Sequence, residues 1–262
     1  MGASEPVYDR IGGGYARGRR PDPRIAAAVT AALGDADRVL NVGAGTGSYE
    51  PRDRPVVAVD PSPVMLAQRP ADSAPCVQAA AEALPFGDGT FSAAMAVLTI
   101  HHWRDKPRAL AEMRRVARGP LVFFGGHNRA LNTSWWLHDY FPAAHRLVCG
   151  RIYPAERFAE VLGPVETVPV PIPADCADGF EAAYWQRPQA ILDPAIWRAT
   201  SALSLISASD RAAGMARLST DLASGKWHQR YGHLLALGQL DLGYCIVIAR
   251  QAARPAPTGW SE

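Results

Sequence analysis

The sequence predicts an α/β protein built on a mostly parallel, doubly wound sheet, and three observations carry that expectation. Short apolar runs alternate with helical stretches through residue 124, the pattern of repeated strand–helix–strand units. One run, Val39-Leu40-Asn41-Val42, leads into a glycine turn, Gly43-Ala44-Gly45-Thr46-Gly47. A second, Val56-Val57-Ala58-Val59, ends on the carboxylate of Asp60. Parallel strands covered on both faces read as continuous apolar runs, and glycine after such a strand lets a ligand approach the backbone closely. Ligands of open α/β sheets lie in the crevice outside the carboxyl ends of the strands, where Gly43, Ala44, Gly45 and Asp60 fall.

The elements follow in order. Residues 1–24 are polar and glycine-rich. Pro21, Asp22 and Pro23 then set up a helix over about 24–33, stopped by Gly34. Its small-residue face, Ala26 to Ala28 with Val29 and Ala32, suits close packing on a sheet. After the first strand and glycine turn, Pro51 and Pro55 bracket a loop, so the first crossover is short. Beyond Asp60, Ser62 is placed to cap a helix with Pro63 at its first position. A short strand is expected over 76–80, and a central strand over the apolar run 91–100, which breaks at His101-His102-Trp103. The next helix spans about 106–117, with Asp105 as its cap and Arg114, Arg115 and Arg118 favourable to its dipole. Gly119-Pro120 ends it, and 121–124 is another buried strand.

From Asn128 the texture changes. Aromatics crowd 135–141, a helix is expected over 154–162, and the run 165–172 reads as an edge strand because of its prolines. Residues 178–240 look helical and aromatic-rich, and Tyr244 to Ala249 forms a clear strand before a Pro/Gly-rich, loose tail. The organisation expected is therefore an N-terminal segment and sheet core over 1–127. A mainly helical cap or substrate-binding insertion spans 128–240, and the final core strand and tail occupy 241–262.

Composition narrows the function classes. Over 262 residues, 48% are hydrophobic and 20% charged, enough for a sizeable core. A net charge of +2 gives no basic stripe for nucleic acid, and the short run Arg17, Arg19, Arg20 and Arg24 reads as a solvated segment. The four cysteines, at 76, 149, 176 and 245, form no Cys-x-x-Cys pair, which suits reduced thiols and argues against a metal centre. The N-terminus has no apolar signal core, and no run is long enough to span a bilayer. A cytoplasmic protein with a small-molecule partner is the expectation; the oligomeric state is not readable.

Two nucleotide-like ligands compete for the glycine turn. A dinucleotide fingerprint places its third glycine at position 48, which is Ser48, and no Gly-Lys-Ser/Thr follows to make a P-loop. The observed Gly43-x-Gly45-x-Gly47, with Asp60 thirteen positions beyond, resembles the S-adenosylmethionine (SAM) site of class I methyltransferases. Further blocks resemble the "type 11" small-molecule group of that family in the same order. They are Pro61-Ser62-Pro63-Val64-Met65-Leu66, Ala81-Glu82-Ala83-Leu84-Pro85-Phe86, Phe91–Trp103 and Glu112-Met113-Arg114-Arg115-Val116. The opening Tyr8-Asp9-Arg10-Ile11-Gly12, with Tyr15 and Arg19-Arg20-Pro21, resembles the group's N-terminal segment. Blocks around Asp178-Gly179-Phe180 to Trp185 and Asp241 to Tyr244 are similar to bacterial members.

The resemblance implies a Rossmann-like class I methyltransferase sheet with an antiparallel last strand and a helical cap. It implies methyl transfer from SAM to a small, apolar or amphipathic acceptor by in-line displacement (EC 2.1.1 class), leaving S-adenosylhomocysteine (SAH). The alternative is a SAM-binding protein of the same fold that does not methylate, a cyclase or a binding module. Carried over, Gly43, Ala44 and Gly45 meet the methionine tail and Asp60 the ribose. Met65 meets adenine, Ala81 and Glu82 edge the ring, and Leu98 lies near the sulfonium. Tyr15 and Arg20 close over the carboxylate. Two positions depart from the pattern: Ala80 and Ser92 stand where many members have acidic residues.

Methyl transfer from a sulfonium needs positioning and exclusion of water, and a base only where the acceptor loses a proton. The base candidates are His101, His102, His138, His145, Tyr184, His228 and His233, and the sequence singles out no catalytic residue. Trp135, His138 and Tyr184 read either as lining an acceptor pocket or as scaffold of the cap.

Overall fold

The computed structural model describes Asp9, residues 19–128 and residues 135–250. Helix α1 (Pro23–Leu33) is capped by Asp22, whose side chain accepts from the Arg24 amide, and Gly34 ends it at φ 58°. Strand β1 (Val39–Val42), β2 (Val56–Asp60), the single turn α2 (Pro63–Leu66), β3 (Cys76–Gln78) and β4 (Ala93–Val97) follow. Then come α3 (Lys106–Val116) and β5 (Leu121–Gly126). The second half carries α4 (Trp135–Tyr140), α5 (Pro142–Arg151), α6 (Ala155–Leu162), β6 (Glu166–Pro169) and β7 (Ile172–Pro173). Helices α7 (Pro194–Ala199), α8 (Ser201–Leu205), α9 (Ala208–Ala223) and α10 (Lys226–Tyr231) lead to β8 (Gln239–Leu240) and β9 (Tyr244–Ala249).

The expected sheet is present. Its seven strands run β3-β2-β1-β4-β5-β9-β6, parallel except for β9. Val39 lies opposite Val56 on one side and Ala93 on the other. Strand β9 inserts antiparallel between β5 and β6, with Phe124 opposite Ile246. The direction of winding therefore reverses between β1 and β4, which is where such sheets open a crevice.

Some local expectations are corrected. The central strand covers only Ala93–Val97: Phe91 makes an isolated bridge to Ala117, and Leu98 turns left-handed at φ 53°. Ile100–His102 then form a 3-10 turn. The 165–172 run divides in two. Glu166–Pro169 forms the sheet edge, and Ile172–Pro173 pairs with β8 in a separate two-stranded sheet. Pro171 has no N–H, so one ladder cannot continue through it.

The sheet buries alternate residues on opposite faces. Met95, Val122 and Phe124 pack with Ile25 and Val29 of α1 and with the cap tryptophans Trp136, Trp185 and Trp227. Ala94, Leu121 and Phe123 face α3 and α6 through Leu110, Met113 and Phe158. The cap is thus welded to the sheet by shared apolar contact. Within it, a Cβ at Gly214 of α9 would lie 2.4 Å from the Phe141 ring and 2.5 Å from the Tyr140 carbonyl oxygen. Gly214→Ala is expected to cost about 1–3 kcal/mol by overpacking, despite the better helix propensity of alanine. A lower denaturant midpoint with an unchanged m-value checks this.

Candidate functional site

A cleft of about 560 Å³ opens at the carboxyl ends of β1, β2 and β4, between the glycine turn and the segment after β3. The turn is built by backbone necessity. Gly43 and Gly45 have φ of 69° and 51°, a left-handed region that other residues enter at a cost. Both Gly43 and Ala44 amides donate to the Val59 carbonyl, at 2.8 and 3.0 Å, which ties the turn to β2. Asp60 then accepts from the Gly45 amide through Oδ2 at 2.8 Å and from the Ser62 amide through Oδ1 at 2.9 Å. Each oxygen keeps a lone pair for a ligand. Burial pushes the Asp60 carboxyl up from its ordinary value, against the pull of those two amides.

The turn is also held from behind. Arg69 Nη2 donates to both Glu50 oxygens at 2.9 Å, and the two side chains are only 4% and 9% exposed. Glu50 Oε1 further accepts from Asn41 Nδ2 at 3.1 Å, and Arg69 Nη1 donates to the Gly45 carbonyl at 3.3 Å.

The residues anticipated from the sequence meet here in large part. Gly43, Ala44, Gly45, Asp60, Met65, Ala81, Glu82 and Leu98 all line the cleft. Met65 is buried, its Cε 3.1 Å from where a Cβ on Gly45 would lie. Glu82 faces partly away, because its Oε1 accepts from the Arg104 and Asp105 amides at 2.9 and 3.2 Å. Ala80 also lines the cleft and leaves no carboxylate at that position.

Other anticipated residues lie elsewhere. Tyr15 falls outside the described residues. Arg20 is exposed and does not line the cleft; its neighbour Arg19 does. Arg19 is far from a solvated residue. Its guanidinium forms a two-pronged pair with Asp178, Nε to Oδ1 at 2.6 Å and Nη2 to Oδ2 at 2.9 Å, and its side chain is 7% exposed. Tyr49, left-handed at φ 65°, donates its hydroxyl to the same Asp178 at 2.8 Å.

Trp135, His138 and Tyr184 line neither this cleft nor the cavity beside it. Trp135 donates its indole N–H to the Trp185 carbonyl inside the cap, and His138 is exposed beside Asp139. Tyr184 lies under the Arg187 guanidinium. His145 sits on α5 against Cys149, and His228 and His233 are exposed.

That adjoining cavity, about 100 Å³, shares Arg19, Leu98 and Thr99 with the cleft. Its far side brings Phe124 and Phe180 together with Glu181, Tyr244 and His127. The Tyr244 hydroxyl donates to Glu181 Oε1 at 3.5 Å, and burial lifts the Glu181 carboxyl to about 7. His127 Nδ1 lies 2.9 Å from the Tyr153 carbonyl. A carbonyl only accepts, so Nδ1 carries the proton and Nε2 is left as an acceptor. Among the described residues Nε2 has no partner. Burial holds His127 at about 4, hence neutral, and depresses His101 and His102 likewise. Arg19, Glu181 and His127 escaped sequence reasoning. Glu181 lies within the 178–185 block, but nothing in that block separates a wall residue from scaffold.

Among the described residues no cluster is arranged to hold a metal ion, and no helix is long and apolar enough to cross a membrane. Comparison with known proteins bears on the cleft directly. A family model described as a methyltransferase domain matches residues 40–122, which include the glycine turn, Asp60 and Leu98. Malonyl-[acyl-carrier protein] O-methyltransferase of Erwinia pyrifoliae is 33% identical over 139 residues, 49% of each chain. An uncharacterized methyltransferase of Mycobacterium tuberculosis is 40% identical over 116 residues, 40% of this chain and 45% of that one. The chain thus spans about half the length of the curated relatives it matches. A candidate methyltransferase from an antibiotic biosynthesis pathway of Anabaena variabilis, of known structure, is similar over far more. It is 29% identical, with TM-score 0.82, over 88% of this chain and 98% of that one.

Proposed function

Because this chain carries a methyltransferase domain on the Rossmann-like class I fold, we propose that it transfers a methyl group from SAM to a small acceptor. The observation that carries this reading is the Asp60 carboxylate, held by two backbone amides at the mouth of a glycine turn and still able to accept two hydroxyls. The cleft is of a size that takes one cofactor. In this reading Asp60 holds the ribose and Met65 the adenine face, with Ala81 and Glu82 at the ring edge. Gly43, Ala44 and Gly45 accommodate the methionine tail, and Arg19, in place of Arg20, offers its charge to the carboxylate. SAM, when bound, supplies a methyl group already activated on a sulfonium. The chain's own work is to orient the acceptor at the Leu98–Thr99 rim and to exclude water. The acceptor is a small molecule taken up by the adjoining cavity, and the four free cysteines suit a reducing cytosol.

Calorimetric titration with SAH and, separately, NADH tests the reading. SAH is expected to bind, and Asp60→Ala to weaken it at least about tenfold through loss of charge-assisted hydrogen bonds. Binding of NADH without SAH would overturn it and return the glycine turn to a dinucleotide.

A further inference from the structure

We propose that the cavity beside the cleft takes a single-ring aromatic alcohol, with Glu181 receiving its hydroxyl proton and Tyr244 positioning Glu181. The inference rests on the methyl-transfer reading, since it assigns the acceptor of that reaction.

Position comes first. Leu98 and Thr99 belong to both spaces, so a molecule in the cavity adjoins whatever fills the cleft. Size and walls come next. The cavity measures about 100 Å³, the scale of a single ring, since an apolar cavity of ~150 Å³ can hold benzene. The rings of Phe124, Phe180 and Tyr244 stand 5.1 to 6.4 Å apart, centroid to centroid, and form an aromatic wall.

The polar groups then select the ligand. The Glu181 carboxylate and the His127 Nε2, which has no partner among the described residues, can both accept a hydrogen bond from a ligand hydroxyl. The other titratable or charged groups around Glu181 are Tyr244 of β9, Arg19 of the N-terminal segment, His101 of the 3-10 turn, Arg151 at the end of α5 and Tyr153 just after it. Asp178, three residues earlier, is occupied by Arg19 and Tyr49. The Arg151 guanidinium on the wall disfavours an ammonium ligand and favours an oxygen that gains negative charge as its proton leaves, whereas Asp178 offsets the charge of Arg19.

The proton transfer fixes the kind of alcohol. With its carboxyl raised to about 7, Glu181 is a stronger base than an ordinary carboxylate. A phenolic hydroxyl, ionising near ~10, lies within its reach, whereas an aliphatic one does not. In the step, the acceptor's O–H bond breaks and its oxygen forms the new bond to the methyl carbon. The proton goes to a Glu181 oxygen, and sulfur keeps the electron pair of the C–S bond. Glu181 returns the proton to water once product leaves. Tyr244 acts through Glu181, fixing the carboxylate with its hydroxyl.

The test titrates 4-methylphenol calorimetrically into protein saturated with SAH, at about pH 5.5 and about pH 8.5, where this phenol stays neutral. Affinity is expected to be about tenfold higher at the upper pH, because the charged acceptor is lost as pH falls through the Glu181 value. Glu181→Gln, close to isosteric, should remove both the tight binding and the pH dependence. Tyr244→Phe should keep the dependence and move its midpoint upward, which a purely structural tyrosine would not do. Equal affinity at both pH values, an unaltered Glu181→Gln variant, no binding of 4-methylphenol, or binding of benzylamine in its place would each overturn the proposal. SAH affinity, measured in the same experiments, separates the two readings. If SAH binds and the phenol results fail, only this proposal falls.

Discussion

Gly43→Ala is expected to lose about 2–5 kcal/mol of stability and to abolish SAH binding. Two costs combine. An alanine held at φ 69° pays about 1–2 kcal/mol for the left-handed backbone. Its Cβ would also stand 2.1 Å from Thr99 Oγ1, 2.8 Å from Cγ2 and 2.9 Å from Cβ. Rotating the threonine moves the first two atoms but not the third, so the loop or the end of β4 must shift, at about 1–3 kcal/mol more. Gly225→Ala is the matched control. Gly225 is left-handed at φ 76° and has nothing within 4 Å of the added carbon, so it should show the backbone cost alone. Urea denaturation and SAH titration of both variants check this. Equal losses in the two would mean that the Thr99 contact is unimportant.

Arg69→Ala is expected to cost about 3–5 kcal/mol, the penalty for stranding a buried carboxylate. Glu50 would keep only its contact with Asn41, and the Gly45 carbonyl would lose its guanidinium donor. The stability loss and the cofactor effect can be separated. Replacing the pair by Arg69→Met with Glu50→Met removes both charges, and apolar replacement of buried pairs is often neutral or better. That double variant should regain most of the stability while SAH affinity stays reduced, because nothing then holds the Gly45 carbonyl. Recovery of full SAH affinity would show that the ion pair serves folding only.

The contrast between these sites and the second cavity shows what a sequence can disclose. Gly43, Gly45 and Asp60 were legible because one strand–turn–strand unit carries them, and their spacing follows from local backbone geometry. The cap on the helix at Pro63 and the parallel sheet were legible for the same reason. Arg19 was not, because its meaning depends on Asp178, 159 positions away, which turns a seemingly solvated arginine into a buried ion pair. His127 and Glu181 belong to the same class. They meet across a cavity only because β5, β9 and the start of the cap converge there, and no local period records that convergence. The cap aromatics were open in the sequence. Trp135 and Tyr184 fitted either a pocket or a scaffold, and the fold uses them inside the cap, where the Trp135 indole N–H donates to the Trp185 carbonyl. The strand ending at Val97 was overestimated because the apolar run continues past Leu98, where the backbone turns left-handed. Such strain in a non-glycine residue is commonly found at ligand sites, and here it marks the rim between cleft and cavity.

The most direct measurement is a crystal structure of this chain with SAH. The account predicts ribose hydroxyls on the Asp60 carboxylate, adenine against Met65, and the sulfur at the Leu98–Thr99 rim, facing the cavity that holds Glu181. An SAH molecule lying the other way, with adenine among Phe124 and Phe180 and its sulfur remote from Leu98, would contradict it.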